Sequence, residues 1–470
     1  MKIFIYLFLY LLPFSVWAIG KDTVWTIDLQ ENIGKIKPLH GVNGGPFYYS
    51  RHQEPIAEYH KGAGFPYTRL HDANWPHPDV VDVPAIFPDF DANPNDPKNY
   101  YFKKTDDYLQ PILKNKSEII FRLGVSIEHV TKYHLSPPSD YAKWVRVCTQ
   151  IIRHYNEGWA DGFHYNIRYW EIYNEPDNKP CWTGTQDEFF DFFKVAAKGL
   201  KKYNAKLKIG GPAFTNINSS WVIPFLKYCQ QNQVPLDFFS WHAYYAKTDS
   251  LVRDAQIARN LLDKYGYNKT ESHLNEWHYL RSGWQYIFPG ASSTRAIYDN
   301  LQNEYDLMKG PEGAVFSANV LMKLQDSPVD VANFFAADYN PLSMFSYYGV
   351  PSKVYYAFKQ FNTLFMYHNR VGCKSSEPDR TVTICAGKNA DSSSVGVLLT
   401  NSRGSKIKRQ IRFENLQNNI RYDVEVYATD QDKNMQPVSA VKGFKAGDVL
   451  DLNIDGMSVL LIELKKESQK

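Results

Sequence analysis

Two short stretches, about a hundred residues apart, each hold a glutamate in a setting suited to chemistry. In Trp170-Glu171-Ile172-Tyr173-Asn174-Glu175-Pro176-Asp177, Glu175 follows an apolar, aromatic run (Asn166-Ile167-Arg168-Tyr169) that reads as a short buried strand. The proline behind it ends any strand ladder, so Glu175 is expected at a strand tip. In Ser272-His273-Leu274-Asn275-Glu276-Trp277-His278-Tyr279, Glu276 occupies a second such tip. One carboxyl can protonate a leaving oxygen while another attacks, or activates water at, an anomeric carbon, provided their environments push the two pKa values apart. Glu175 suits the acid/base role, with the Asn174 amide free to bond a sugar hydroxyl beside the reacting carbon. Glu276 suits the nucleophile. Positive or hydrogen-bonding groups would keep it ionised, and Arg69 and Tyr244 are candidates, with His242 placed to orient substrate or tune the pair.

Each motif has a plainer reading by itself. Asn-Glu-Pro is commonly a capped turn, Arg69 could serve a structural ion pair, and His242 and Tyr244 could be satisfied polar residues of the core. The joint pattern favours chemistry, because the strands that would carry the glutamates are the fourth and seventh of a series of eight. The others centre on residues 38–46, 67–72, 119–124, 207–212, 236–245 and 331–338. Helix-like segments with apolar residues at helical spacing, such as 140–155 and 187–203, lie between them. Eight such units read as a (β/α)8 barrel over residues 37–364, whose strand tips converge on one face. The long Pro- and Asp-rich stretch from Trp75 to about Thr105, and the loop from His278 to Ser293 with Trp284, Tyr286 and Phe288, are expected to overhang that face.

From about residue 365 the texture changes to alternating runs at 380–384, 394–399, 406–413, 421–427 and 457–464, separated by turn residues. This reads as an accessory β-sandwich over 365–470, more suited to capping the barrel than to binding sugar. A strand at Thr23–Leu29, within 19–36, comes too early for the barrel and is expected to join the sandwich. Met1-Lys2, the apolar run to Val16 and a small residue at Ala18 read as a signal peptide over 1–18, which implies a secreted or periplasmic protein with no membrane span.

The chain has 470 residues and a net charge of +3, which gives no electrostatic reason to expect nucleic acid or an anionic membrane as partner. Aromatics make up 15%, including 11 Trp and 33 Tyr, and their faces suit the C–H faces of sugars as well as large cores. An oligosaccharide or polysaccharide is the expected partner, and a homo-oligomer is compatible with the sequence. The five cysteines show no CxxC spacing and frame no zinc site. Cys373 and Cys385 could pair across a hairpin or remain free thiols.

The sequence resembles glycoside hydrolase family 39, in the clan of barrel glycosidases with catalytic glutamates ending strands four and seven. The resembling motifs are Gly41-Val42-Asn43-Gly44-Gly45-Pro46, Thr68-Arg69-Leu70-His71-Asp72, Trp170 to Pro176, His242-Ala243-Tyr244 and Asn275-Glu276-Trp277. The resemblance implies a retaining mechanism with Glu175 as acid/base and Glu276 as nucleophile, and neither metal nor other cofactor. It also implies a substrate-binding shell of Arg69, His71, Asn174, His242 and Tyr244, to which Trp277 is added as a neighbour of Glu276. The family is similar to β-xylosidases and α-L-iduronidases, and other members act on arabinosyl, galactosyl or exopolysaccharide linkages. This chain departs from the xylosidase pattern at Arg122-Leu123-Gly124-Val125-Ser126-Ile127-Glu128-His129. A uronate would need cations, for which Lys132 and Arg281 are the candidates. The expectation is a neutral sugar and an exo-acting, β-xylosidase-like enzyme. The alternatives are another glycone, an endo-acting polysaccharide hydrolase, a transglycosidase, or a carbohydrate-binding barrel that has lost catalysis.

Overall fold

Nine strands build the first domain and its link to the second. They are β1 (Val24–Lys35), β2 (Gly41–Asn43), β3 (Tyr67–Leu70), β4 (Glu118–Leu123), β5 (Tyr169–Ile172), β6 (Lys208–Phe214), β7 (Phe238–Tyr245), β8 (Glu271–Tyr279) and β9 (Val331–Phe334). The computed structural model describes residues 23–46, 56–73, 79–127, 134–287 and 295–467. The expected leader, Trp75, Glu128, His129, Lys132 and Phe288 lie outside the described residues.

Strands β2 to β9 close into a parallel barrel in chain order. Side chains alternate in and out along each strand. Outward residues such as Val42, Leu70, Phe121, Trp170, Ile209, Phe239, Trp241 and Leu274 pack beneath the helices in the main core. Inward residues Ile120, Tyr169, Phe238 and Val331, with Tyr67, plug the barrel's lower end. The surrounding helices start where the sequence provides caps. Asp140 accepts from the Lys143 N–H ahead of Tyr141–Glu157, and Thr185 with Glu188 forms a capping box ahead of Gln186–Tyr203. Each such helix returns the chain to the barrel's lower end, so all eight strands point their C-terminal tips the same way.

The second domain comprises β10 (Asn369–Ser375), β11 (Val382–Lys388), β12 (Ser394–Asn401), β13 (Ile407–Glu414), β14 (Tyr422–Thr429), β15 (Gln436–Phe444), β16 (Val449–Ile454) and β17 (Ser458–Lys466). With β1 they form one sheet in the order β15-β14-β17-β12-β11-β10-β1-β13-β16. Strand β1 is inserted between β10, antiparallel, and β13, parallel. Residues from the two halves of the sheet, such as Val397, Val424 and Ile462 from one and Ile27, Ile411 and Leu452 from the other, share a single apolar core. The sheet is therefore folded over itself as a sandwich. Its other face, through Cys385, Leu398, Val459 and Leu461, joins the barrel's core. Buried hydrogen bonds from Thr400 to Asn319 (2.6 Å) and from Thr429 to Gln360 (2.8 Å) fix this seam. All five cysteines are free thiols, so Cys373 and Cys385 take the unpaired alternative. No helix among the described residues is long and apolar enough to cross a membrane.

Candidate active site

The barrel's upper layer is polar because residues that face inward near the strand tips are charged or amidic. Alternation alone would turn only one of Asn275 and Glu276 inward. A register shift in β8, where Trp241 pairs with Leu274 but His242 pairs with Glu276, inserts an extra residue at this point. Both neighbours consequently face the interior. Asn275 donates to Glu171 (2.6 Å), and Glu276 meets Arg69 and Tyr244. Trp277 then turns outward. It is fully buried between Phe334 and Phe358, in the layer between strand and helices. The expectation that Trp277 touches substrate is corrected: it is a packing residue, and the bulge explains why.

Arg69 is the hub. Its guanidinium is fully buried and uses all three nitrogens. Nε donates to Glu171 (2.6 Å), one terminal nitrogen to Glu276 (2.7 Å) and Asn43 (3.1 Å), and the other to Asn174 (2.7 Å). A planar fork fits this many directed acceptors, which a lysine could not satisfy. The ion pair with Glu171 is thus structural, and the same side chain reaches the proposed nucleophile. Arg69 also holds the oxygen of the Asn174 amide, leaving its buried Nδ2 without a partner. The amide is oriented by its acceptor end and keeps its donor end available.

Glu276 receives two strong donors, Arg69 on one oxygen and the Tyr244 hydroxyl (2.6 Å) on the other. Burial pushes its pKa up, while His242, Arg69 and Tyr244 pull it back toward ionisation. Burial also raises the Tyr244 pKa well above its ordinary value, so Tyr244 remains a donor. His71 lies 3.8 Å from Glu276 and 3.6 Å from Asp72.

Glu175 sits in a different setting. The chain turns sharply after β5, with Tyr173 (φ 72°) and Glu175 (φ 43°) in the left-handed region. Side chains adopt that region at a cost of roughly 1–2 kcal/mol each, and such strain concentrates at functional sites. The turn is pinned by the Glu175 N–H to Ala213 (2.9 Å) and by Asn178, which donates to the Glu175 carboxyl (2.9 Å). Burial raises Glu175 to about 7, opposed by Asn178 and reinforced by the charges of Asp177 and Asp72. His242 lies 2.8 Å from Glu175 and 3.4 Å from Glu276 through the same ring nitrogen. Burial lowers its pKa to about 4, so the imidazole is neutral at physiological pH, and its Nε2 has no partner.

The donor atoms of Glu175, His242 and Glu276 all lie within 4.8 Å of one another, a spacing that could hold a cation. Both oxygens of Glu276 already accept hydrogen bonds, and the Arg69 charge beside them opposes a second cation. The donor set therefore fits proton transfer better than metal ligation.

Asp338, beyond β9, completes one wall. Burial and nearby Asp72 push it up to about 8, against the Asn340 amide. A Cβ on Gly44 (φ 75°) would lie 2.4 Å from the Asp338 carboxyl carbon, so only glycine allows this contact. Trp284, 44% exposed, sets its ring against Tyr244 at 4.6 Å and 65°. Among the residues sequence reasoning did not single out for the site, Glu171, Asn43 and Asn275 lay inside the quoted motifs. Asn178 and Asp338 carried no motif signal. Arg281 is exposed, and Arg122 is buried against Asp82 and Ser126.

The sequence profile of glycosyl hydrolases family 39 matches residues 59–363. A β-xylosidase from Geobacillus stearothermophilus is 34% identical over 119 residues, which cover 25% of this chain and 23% of that protein. The matched segment thus spans about a quarter of that relative. Among solved structures, a glucosidase from Croceicoccus marinus superposes with a TM-score of 0.79 at 24% identity, covering 95% of this chain and 100% of that one. A monomeric β-xylosidase from Caulobacter crescentus superposes with a TM-score of 0.72 at 15% identity, with coverage of 95% and 100%. At these identities the structural likeness concerns the fold.

Proposed function

The chain belongs to glycosyl hydrolases family 39, and from that premise we propose that it is a retaining, exo-acting glycosidase, β-xylosidase-like, that releases a neutral sugar by double displacement. The observation that carries this reading is the closeness of the two carboxyls. Their nearest donors fall within 4.8 Å, on the retaining side of the divide between about 5 Å and the 6.5–9.5 Å that an inverting water requires.

The unequal surroundings divide the labour. Glu276, bonded by Arg69 and Tyr244, attacks the anomeric carbon and forms the glycosyl–enzyme ester. Glu175, held near neutrality by burial, protonates the departing glycosidic oxygen. As it loses that proton, Asn178 and His242 stabilise the new carboxylate. Water then enters on the side the leaving group vacated. Glu175 takes its proton, and the attack on the ester restores Glu276. The unpartnered Asn174 Nδ2 is a donor for a sugar hydroxyl, and the unpartnered His242 Nε2 is an acceptor when Nδ1 carries the ring proton toward Glu175.

A neutral glycone is favoured because a uronate would meet the Glu276 carboxylate, while the buried cation beside it, Arg69, is already shared by Glu171 and Glu276. The β-xylosyl assignment is supported by the local likeness to the Geobacillus stearothermophilus protein. The test is nitrophenol release from β-D-xylosides, β-D-glucosides, α-L-arabinosides, galactosides and an iduronide. Turnover of the β-D-xyloside is expected. Turnover of another sugar alone would keep the mechanism and replace the glycone. Turnover of none, together with no hydrolysis of oligosaccharides, would overturn the reading.

A further inference from the structure

The loop that leaves β9 lines the site at Asp338 and then builds a feature the chemistry above does not use. At Phe345 the chain turns back as a tight hairpin, bridging to Pro351. The Ser346 N–H donates to Val350 (2.8 Å), the Gly349 N–H to Ser346 (2.9 Å) and the Ser352 N–H to Met344 (2.9 Å). The Ser346 hydroxyl accepts from the backbone of both Tyr348 and Val350 (3.2 Å each). Beneath it, half-buried Lys309 donates to the carbonyls of Ser343 and Phe345. The Phe345 ring is buried among Tyr59, His60 and Tyr355. A hairpin anchored at this many points has little freedom left to lose.

Its tip is Ser346-Tyr347-Tyr348-Gly349-Val350, with no charge. Tyr347 is 61% and Tyr348 63% exposed, with rings 5.6 Å apart and nearly perpendicular. Two rings at a right angle form a corner in which one face can lie under a pyranose while the other ring's edge and hydroxyl stand beside it. Large aromatic surface held rigidly in water marks a binding site. Tyrosine pairs an apolar face with a polar tip, which fits a sugar better than an aliphatic surface. The position fits as well. The hairpin belongs to the loop at the tip of the eighth barrel strand, on the face where the glutamates lie, and the same loop reaches the site through Leu342, in the apolar cluster that packs against Tyr244.

We infer that Tyr347 and Tyr348 form a distal platform for a glycan chain, holding sugar units beyond the bond that is cleaved. This rests on the glycosidase reading, and it adds that the preferred substrate is a chain long enough to reach the hairpin.

The experiment compares the wild type with Tyr347→Ala/Tyr348→Ala and Tyr347→Trp/Tyr348→Trp. In native gels containing soluble xylan, arabinan or galactan, at least one glycan is expected to retard the wild type and the tryptophan variant but not the alanine variant. With the cleaved sugar held constant, kcat/KM of the wild type should rise with oligosaccharide length. The alanine variant should lose about tenfold on the longest substrate and less than about twofold on the aryl glycoside. Retardation of neither wild type nor variants, equal retardation of all three, or equal loss on short and long substrates would overturn the platform. So would a wild-type dimer that the alanine change splits without altering length dependence, since the hairpin would then be a self-association surface. Failure of the glycosidase reading would show separately, as absence of turnover on every substrate.

Discussion

Strand β8 carries two glutamates, one at each end, and they live in opposite environments. Glu271 opens the strand at the barrel's lower face. Partial burial works against its charge, but His273 and Lys208, each 3.0 Å away, hold its pKa down near 2, and the Tyr169 hydroxyl adds a bond at 3.1 Å. Glu276 stands five residues on, at the upper face. Burial raises it, and the second carboxyl of Glu175 raises it further, against His242, Arg69 and Tyr244. One strand thus holds a carboxylate that is permanently charged and another poised to give up its charge in a covalent bond. Residue type does not separate them; the end of the barrel does. Lower-face charges are satisfied and support the fold, whereas upper-face charges are only partly compensated and are left available for chemistry.

The largest effect should come from the upper end. Glu276→Ala should lower turnover by at least about 10⁴-fold while leaving the protein folded, as read by steady-state rates and circular dichroism. If turnover survived, the contrast along β8 would lose its catalytic half.

Next comes Glu175→Gln, expected to slow glycosides with poor leaving groups by about 10²–10⁴-fold and activated aryl glycosides less in the first step. In the wild type, activity should fall as pH rises through about 7, because Glu175 then loses the proton it must donate. The variant should lack that limb. An unchanged alkaline limb would assign it to another group.

Glu171→Gln sharpens the comparison, because Glu171 is buried like Glu276 yet is fully bonded by Arg69 and Asn275. Loosening Arg69 should cost about 10–100-fold in kcat and move the acid limb, which reports Glu276, to a different pH. A purely structural Glu171 would lower the melting temperature and leave the pH profile in place.

The smallest catalytic effect belongs to Glu271→Gln. Its folded pKa lies below the usual 4.5, so its stabilisation is full above about pH 4.5 and disappears as pH falls toward 2. The variant should lose on the order of 2 kcal/mol at pH 7 with kcat nearly unchanged. For Glu175 the sign is reversed, since its folded pKa is raised. Its favourable contribution is complete below about pH 4.5 and lost as pH rises through 7, so Glu175→Gln should raise the melting temperature most at pH 8. Equal shifts from both variants would break the comparison.

Much of the barrel is legible in the sequence, because most of its strands contain a brief apolar run and are separated by segments with helical spacing. All eight lie within a few residues of their expected positions. Strand β15 was not legible, because its residues are mostly exposed and carry no apolar alternation. Strand β16, with Leu450, Leu452 and Ile454 buried in alternation, lies outside the expected runs. In the site, Glu175, Glu276, Arg69, Asn174, His242 and Tyr244 converge because their motifs end β3, β5, β7 and β8, whose tips open on one face of the closed barrel. Trp277 could not be placed from sequence, since a single inserted residue reverses its face and alternation does not reveal the insertion. Asp338 escaped for another reason. It stands beyond the end of β9, and its meaning depends on Gly44, almost three hundred residues earlier.

The most direct measurement of the central claim is rescue of Glu276→Ala by azide with an activated β-glycoside as substrate. With the nucleophile gone and Glu175 intact, azide should enter the vacated face and give a glycosyl azide of inverted, α configuration. A β-glycosyl azide, or no azide product at any concentration, would show that Glu276 is not the residue that attacks the sugar.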